Sequence, residues 1–318
     1  MSKKVLLSGV KPTGAPHIGN YFGAMKQFVE LQNDYDGYVF IADYHALNFI
    51  QNKEEMHKNI INILLDYLAI GLDPKKITIF KQSDILEHTE LAWIFDTFTT
   101  MPYLMRAHAY KDALGKNKEI SVGTFNYPML MAADILLYDV DVVPVGQDQK
   151  QHVEYARDTA EKFNYIFGET FKLPEPMIMK DVAVVPGIDG RKMSKSYNNH
   201  IPLFASHEEV KKCVMGIVTD SSGGIPKNVF AIHSLLRPEK ELLPIYESKA
   251  GKYKELKELL IEDLEKFIAP LRERRKEFEK DIPKALKILE EGSKKAKIVA
   301  SKKMQEVKEK IGVNIYEK

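Results

Sequence analysis

Two lysines stand three positions apart in Lys192-Met193-Ser194-Lys195-Ser196, with hydroxyls beside them and Gly187 and Gly190 just before. Cations and hydroxyl donors in that order suit a polyphosphate, above all where negative charge grows on a leaving phosphate. A second set, Pro16-His17-Ile18-Gly19-Asn20, falls where a turn feeds a helix N-terminus, and there backbone N–H groups and the helix dipole favour anionic oxygens. His17 and Asn20 add donors, and Gly19 admits a ligand close to the backbone. Each set has an ordinary explanation by itself: a solvated basic loop in the first case, a cap with a packing glycine in the second. Their joint occurrence favours phosphate chemistry. Rival phosphate motifs are missing, since no G-x-x-x-x-G-K-[ST] occurs and Gly9, Gly14, Gly19 and Gly23 do not fit G-x-G-x-x-G. With no H-E-x-x-H pair, no protein-held metal is expected, and any Mg²⁺ would ride on the phosphates of the ligand.

The elements that must position these groups follow from spacing. Residues 5–8 are a short apolar run ended by Gly9, Pro12 and Gly14 mark a turn, and 18–32 carries Tyr21, Met25, Phe28 and Leu31 at helical intervals. Two buried-strand patterns, 37–43 and 77–83, flank a helix over 56–71 that Gly71 and Pro74 stop. Such alternation predicts a doubly wound, Rossmann-type α/β fold with a parallel sheet. Residues 85–105 read as helical and 111–119 as a polar loop, together resembling a helical insertion over about 85–126. The pattern then resumes with a helix ending near Leu137, a strand at 141–146 and a helix over about 149–163. After Leu203 the segments 206–218, 251–267, 269–280, 282–291 and 293–311 all read as helices. The predicted organisation is an α/β unit over 1–203 and an all-α unit over 204–318, whose last helix could pack back on the first.

Composition narrows the class. Lys and Arg number 46 against 45 Asp and Glu, so bulk charge does not point to a nucleic acid. The last 70 residues nevertheless hold 20 basic and 14 acidic side chains, a local excess of +6. A single cysteine, Cys213, permits no internal disulfide and no thiolate cluster, which suits a reducing compartment. The apolar stretch 60–72 is broken by Asn62 and Asp66, so no membrane span is expected and a cytoplasmic location is.

The two phosphate motifs together resemble the signature pair of class I aminoacyl-tRNA synthetases, which hold ATP while an amino-acid carboxylate attacks the α-phosphate. Tyr127-Pro128-Met129-Leu130-Met131-Ala132-Ala133-Asp134 resembles the pocket helix of the tryptophanyl and tyrosyl members. A phenol needs polar partners, and the tyrosyl group has Gln where Met131 stands. Met131 offers an apolar, polarizable surface to a large ring, and Asp134 can accept a bond from an indole N–H, so tryptophan is favoured. A Met stripe that is mere core is the common alternative, against which Asp134 and Tyr127 amid apolar neighbours count.

The segment 143–152, SGVKPTG near the start and ADYHA at 42–46 extend the likeness to the tryptophanyl family over nearly the whole chain. That resemblance implies ATP contacts from Lys11, Pro12, Thr13, Gly19, Asn20, Gly146, Gln147, Asp148, Val184 or Val185, and 192–196. It implies catalytic roles for His17, Asn20, Lys192 and Lys195. Leu7, Gly9, His45, Tyr127, Met131, Asp134, Val143, Val145 and Gln149 would form the tryptophan site, with Tyr127 and Gln149 on the α-ammonium. His152 reads as helix surface or core, and the lone Trp93 as packing within the insertion. The chain departs from the family at Lys11 and Leu7, where most relatives carry Gln and Phe, and the loop holding Lys111, Lys116 and Lys118 is a residue short.

A homodimer formed through the inserted helices is implied too, with tRNA(Trp), L-tryptophan and ATP as partners and a helical domain facing tRNA. Arg272, Arg274, Arg275 and Lys276 could meet tRNA phosphates, or could pair with Glu273, Glu277 and Glu279 on a solvated face. An iron–sulfur cluster, held by some relatives, is excluded by the single cysteine. The rivals are tyrosine specificity, a non-catalytic paralogue and a small nucleotidyltransferase of the same superfamily.

Overall fold

The structure is a computed structural model that describes residues 3–115, 119–146, 150–178, 185–219 and 224–315. Its first strand, β1 (Val5–Val10), leads through a turn into α1 (Ile18–Asn20), a π-helical turn Tyr21–Met25 and α2 (Lys26–Leu31), one continuous run along the predicted helix. There follow β2 (Asp36–Ile41), α3 (Asp43–Ala46), α4 (Lys53–Ile70) and β3 (Ile77–Lys81). The α4 helix starts where the Asn52 side chain accepts from Glu55 N and stops at Gly71, whose φ of 103° is left-handed. The inserted helices are α5 (Glu87–Asp96), α6 (Met101–Leu104), α7 (His108–Gly115) and α8 (Val122–Leu136). The first half closes with β4 (Val142–Val145), α9 (Lys150–Phe167) and β5 (Glu175–Ile178).

All strand pairings are parallel, in the order β3-β2-β1-β4-β5. The winding reverses between β1 and β4, and open α/β sheets bind ligands at the carboxyl ends of the strands beside such a reversal. Alternation along the strands divides the core in two. Val39, Ile41, Ile77 and Ile79 face one layer with α4, while Leu7, Tyr38, Phe40, Phe80 and Val143 face the other with α5, α8 and α9.

Beyond residue 203 come α10 (His207–Met215), α11 (Lys227–His233), α12 (Glu239–Ser248), α13 (Tyr253–Glu279) and α14 (Ile282–Lys310), with no strand among the described residues. The pairs of helices expected at 251–280 and 282–311 are single long ones: Pro270 lies inside α13, whose buried Leu264, Ile268 and Leu271 carry the helix across it. Two other differences have plain causes. Residues 111–115 belong to α7 rather than to a loop, and β5 escaped notice because it is short, carries Pro176 and lies at a sheet edge. Trp93 is 71% exposed, contrary to the packing expected of it, because α5 buries the stripe His88, Leu91, Ala92 and Phe95 on its other side.

The arginines that could have faced tRNA or a solvated face bind the protein itself. Arg274 donates to Ala69 O (3.0 Å) and Arg275 to Asp66 Oδ1 (2.6 Å) and Asn62 Oδ1 (2.9 Å), all on α4. Arg272 donates to Ala205 O and to Glu265. The Arg274 and Arg275 bonds fasten α13 to α4. The pairing along the helix read as the alternative is present as well: Lys276 meets Glu273 at 2.9 Å, Arg272 meets Glu273 at 3.8 Å, and Arg275 meets Glu279.

The C-terminal helix covers the β3 edge. There α14 comes so close that a Cβ on Gly292 would overlap the carbonyl oxygen of Ile79, while the neighbouring Ser293 Oγ donates to Asp84 Oδ2 at 2.8 Å. Alanine normally favours a helix over glycine by about 1 kcal/mol. At this position Gly292→Ala is expected instead to destabilise by about 1–3 kcal/mol, since helix and strand must separate, and denaturant unfolding measures it. An unchanged or raised midpoint would show that α14 does not seat on β3 as described.

Candidate active site

At the carboxyl end of β1 the chain turns through Lys11, the buried Pro12 and Thr13, whose N–H donates to Lys11 O at 2.8 Å. Gly14 follows with a φ of 95°, and the turn delivers His17 as the N-cap of α1. The cap is reciprocal: His17 Nδ1 accepts from Asn20 N (3.2 Å) and Asn20 Oδ1 accepts from His17 N (3.1 Å). A neutral imidazole that accepts at Nδ1 carries its proton on Nε2. Burial, reinforced by His200 and Lys195, lowers the His17 pKa to about 4, so near neutral pH it is an uncharged donor. A Cβ at Gly19 would lie 2.9 Å from the His17 ring, so this glycine serves the fold-back of His17.

The lysine motif sits on a small hairpin, in which Met193 N donates to Val185 O and Gly187 N to Arg191 O. Val185 and Met193 are buried in the core, so their side chains anchor the loop. Asn199, also buried, shapes its inside: it accepts from Ser194 N (2.8 Å) and donates to Asp189 Oδ1 (2.7 Å) and Lys192 O (3.2 Å). Ser194 and Ser196 share a hydroxyl contact at 2.8 Å, and Lys192 is exposed. Immediately afterwards the chain pairs with the first motif, where Ile18 N donates to Ile201 O and Leu203 N to Pro16 O, each at 3.0 Å. Lys195 Nζ spans the remaining gap to Thr13 O (2.8 Å) and Gly14 O (3.2 Å). The two motifs are thus one surface.

Beside it, on the α8 face of the sheet, lie the residues expected around the amino acid. Tyr127, Met131 and Asp134 recur at i, i+4 and i+7 along α8, while Leu7 and Val143 are buried and Val145 half-buried in the same layer. Gly9 is required there, since a Cβ would meet the Phe40 ring at 2.7 Å. The His45 ring stands edge-on to Tyr127 with centroids 6.4 Å apart, and Tyr127 Oη lies 2.9 Å from His152 Nε2. Asp134, 1% exposed, accepts from Gln82 Nε2 at Oδ1 (2.8 Å) and meets His45 Nε2 at Oδ2 (2.9 Å). His88 Nδ1 approaches Oδ1 to 2.6 Å, an ion-pair distance with poor hydrogen-bond alignment. Burial alone would raise the Asp134 pKa; the electrostatic influence of His88 and the bonds from both histidines outweigh it and hold the group at about 2. It is an ionised acceptor.

Gln147, Asp148, Gln149, Val184, Lys116 and Lys118 lie outside the described residues. Gly146 is half-buried at the end of β4, and Lys111 is exposed on α7. Sequence reasoning missed Gln82, His88, Tyr138, Asn199 and His200, whose ring lies 5.8 Å from that of His17. A signal existed for His88, a polar residue on the buried stripe of α5, which must find a partner.

The His17 geometry has a measurable consequence. Because its folded pKa lies below 6.5, the stability it contributes is complete above about pH 6.5 and lost as pH falls toward 4. In an NMR titration His17 is expected near pH 4, and His17→Asn, which can keep the cap bond, should flatten the acid limb of the stability profile. A midpoint near 6.5 would contradict the cap assignment.

The chain is similar to known proteins over almost its whole length. The sequence family described as tRNA synthetases class I (W and Y) matches residues 2–272. A tryptophan–tRNA ligase of Fusobacterium nucleatum is 49% identical over 98% of this chain and 99% of its own. One from Rhodopirellula baltica is 44% identical over 97% and 99%. A crystal structure of the Campylobacter jejuni tryptophanyl-tRNA synthetase, complexed with ADP and tryptophan, superposes with a TM-score of 0.89 at 45% identity, covering 97% of this chain and 99% of the other. With the signature motifs joined at the strand ends and the family matched across most of its length, the chain belongs to the class I tRNA synthetases of the tryptophan and tyrosine group.

Proposed function

We propose that this enzyme activates L-tryptophan with ATP and transfers it to the 3′-terminal ribose of tRNA(Trp). The observation that carries this reading is 49% identity to a tryptophan–tRNA ligase over nearly the full length, in a chain whose α8 carries a buried, ionised acceptor, Asp134. The relative that binds ADP and tryptophan supports ATP use. In the first step a tryptophan carboxylate oxygen bonds to the α-phosphorus, and the bond to pyrophosphate breaks with its electrons going to the leaving group. Lys195 and Lys192 meet that charge with ammonium groups, and His17 Nε2 and Asn20 with neutral donors. In the second, a ribose hydroxyl attacks the activated carbonyl, releasing AMP and a proton. Positioning and electrostatics suffice, with no covalent enzyme intermediate.

Lys195 reaches phosphate by giving up the carbonyls of Thr13 and Gly14, and its loop, bounded by Gly187 and Gly190, acts as a lid. Lys11, Pro12, Thr13, Gly19, Gly146, Gln147, Asp148, Val184 or Val185, and 192–196 line the nucleotide. Mg²⁺ enters with its phosphates. Indole lies among Leu7, Gly9, His45, Met131, Val143 and Val145 with its N–H on Asp134, while Tyr127 and Gln149 hold the ammonium.

We assign residues 1–203 to catalysis and 204–318 to tRNA. With Arg272, Arg274 and Arg275 bonded to the protein itself, the exposed Lys284, Lys287, Lys295, Lys297 and Lys302 of α14 are cations able to meet phosphates. A homodimer through the inserted helices is supported by the exposed Leu86, Trp93, Met101, Leu114 and Val122. No helix among the described residues is long and apolar enough to cross a membrane. The lone Cys213 suits the cytoplasm, where tRNA is charged.

Pyrophosphate exchange with each amino acid in turn tests the reading: tryptophan alone should support exchange, and comparable exchange with tyrosine would refute it. Lys195→Ala is expected to slow adenylate formation by about 3 kcal/mol, roughly a hundredfold, with tryptophan affinity nearly unchanged. Rapid-quench measurement of adenylate formation at an unaltered rate would remove Lys195 from the chemistry.

A further inference from the structure

The surroundings of Asp134 limit how it can be used. Its Oδ1 accepts from Gln82 and faces His88, whereas Oδ2 meets His45. A carboxylate oxygen offers about two acceptor positions. Oδ1 is therefore filled from the protein side, and one position remains on Oδ2, beside His45. His88 is 0% exposed and stacked against the rings of Phe40 and Phe80. Its other nitrogen, Nε2, lies 2.9 Å from the Tyr138 hydroxyl. When Tyr138 donates to Nε2, the imidazole proton sits on Nδ1 and faces the carboxylate. The opposite tautomer would place a lone pair 2.6 Å from a buried carboxylate oxygen, a repulsive arrangement.

The geometry points to Tyr138, His88 and Gln82 as positioning residues for amino-acid choice: they hold Asp134 with a single open acceptor position, which a ring N–H completes. None of the three reaches the substrate; each acts through the carboxylate. This inference rests on the indole reading of Asp134 given above. A buried acceptor left unmatched penalises a substrate far more than a missing apolar group does, so the orientation of one carboxylate controls selectivity.

The probe is β-(3-benzothienyl)-L-alanine, which has sulfur in place of the indole N–H and nearly the same shape. Pyrophosphate exchange gives kcat/KM for it and for tryptophan in wild type, Tyr138→Phe, His88→Asn, His88→Leu and Asp134→Asn. Wild type should prefer tryptophan by about a hundredfold. Tyr138→Phe deletes one oxygen and keeps the ring; it should lower that preference about tenfold, through tryptophan alone, with the analogue within about twofold of wild type. His88→Leu should abolish the preference, and His88→Asn, whose amide N–H replaces Nδ1–H, should retain most of it. A merely structural role would lower both substrates together, and that outcome in Tyr138→Phe overturns the inference. So does an unchanged preference in Tyr138→Phe while Asp134→Asn loses it, whether or not His88→Leu folds. A wild-type enzyme that uses both substrates equally would overturn the indole reading itself, and the inference with it.

Discussion

Two backbone hydrogen bonds, Ile18 N to Ile201 O and Leu203 N to Pro16 O, bring the halves of the phosphate site together. They flank His17 and Pro202, which face each other as an isolated antiparallel pair. Proline lacks an N–H, and this position needs none. Everything electrostatic depends on the pairing. It helps bury His17, which with the nearby His200 and Lys195 lowers its pKa, and it brings Lys195 across to the carbonyls that end the β1 turn. Neither motif could present a coherent set of donors if the segment after the lysine loop ran elsewhere.

The sheet separates the remaining duties by face. Strand alternation puts Leu7, Gly9 and Val143 on the α8 side, and there they share a layer with Tyr127, Met131 and Asp134. The phosphate surface lies at the strand ends, where the winding reverses. An amino acid at the α8 face and a nucleotide on the donors can therefore meet without either crossing the core. The helical third supports this from outside, because Arg272, Arg274 and Arg275 fasten α13 and Gly292 admits α14 to the β3 edge. Basic residues that in sequence could serve either a nucleic acid or a solvated face thus also hold the fold together, as partners for Asp66 and for backbone carbonyls.

What sequence revealed were groups whose chemistry depends on near neighbours. Pro16 to Asn20 and Lys192 to Ser196 are local, and the strand and helix periods that carry them are local too. What it hid depended on distance or context. A break was expected between 267 and 269, beside Pro270, yet packing on both sides of the proline holds one helix. Trp93 looked like core because tryptophan usually is, but the apolar stripe of α5 runs along another face. Asp134 was visible as a buried acceptor, while Gln82 and His88 come from other elements and nothing in the spacing joins them to it. Asn199 was invisible for a related reason, since its three partners become neighbours only once the hairpin closes.

The most direct test of the whole arrangement is a crystal structure of the enzyme with a sulfamoyl analogue of tryptophanyl-adenylate. The indole nitrogen should lie within hydrogen-bond distance of Asp134 Oδ2, next to His45, with the nucleotide at the strand ends against the 16–20 and 192–196 segments. An indole ring lodged away from Asp134, or a nucleotide bound without contact to both motifs, would contradict it.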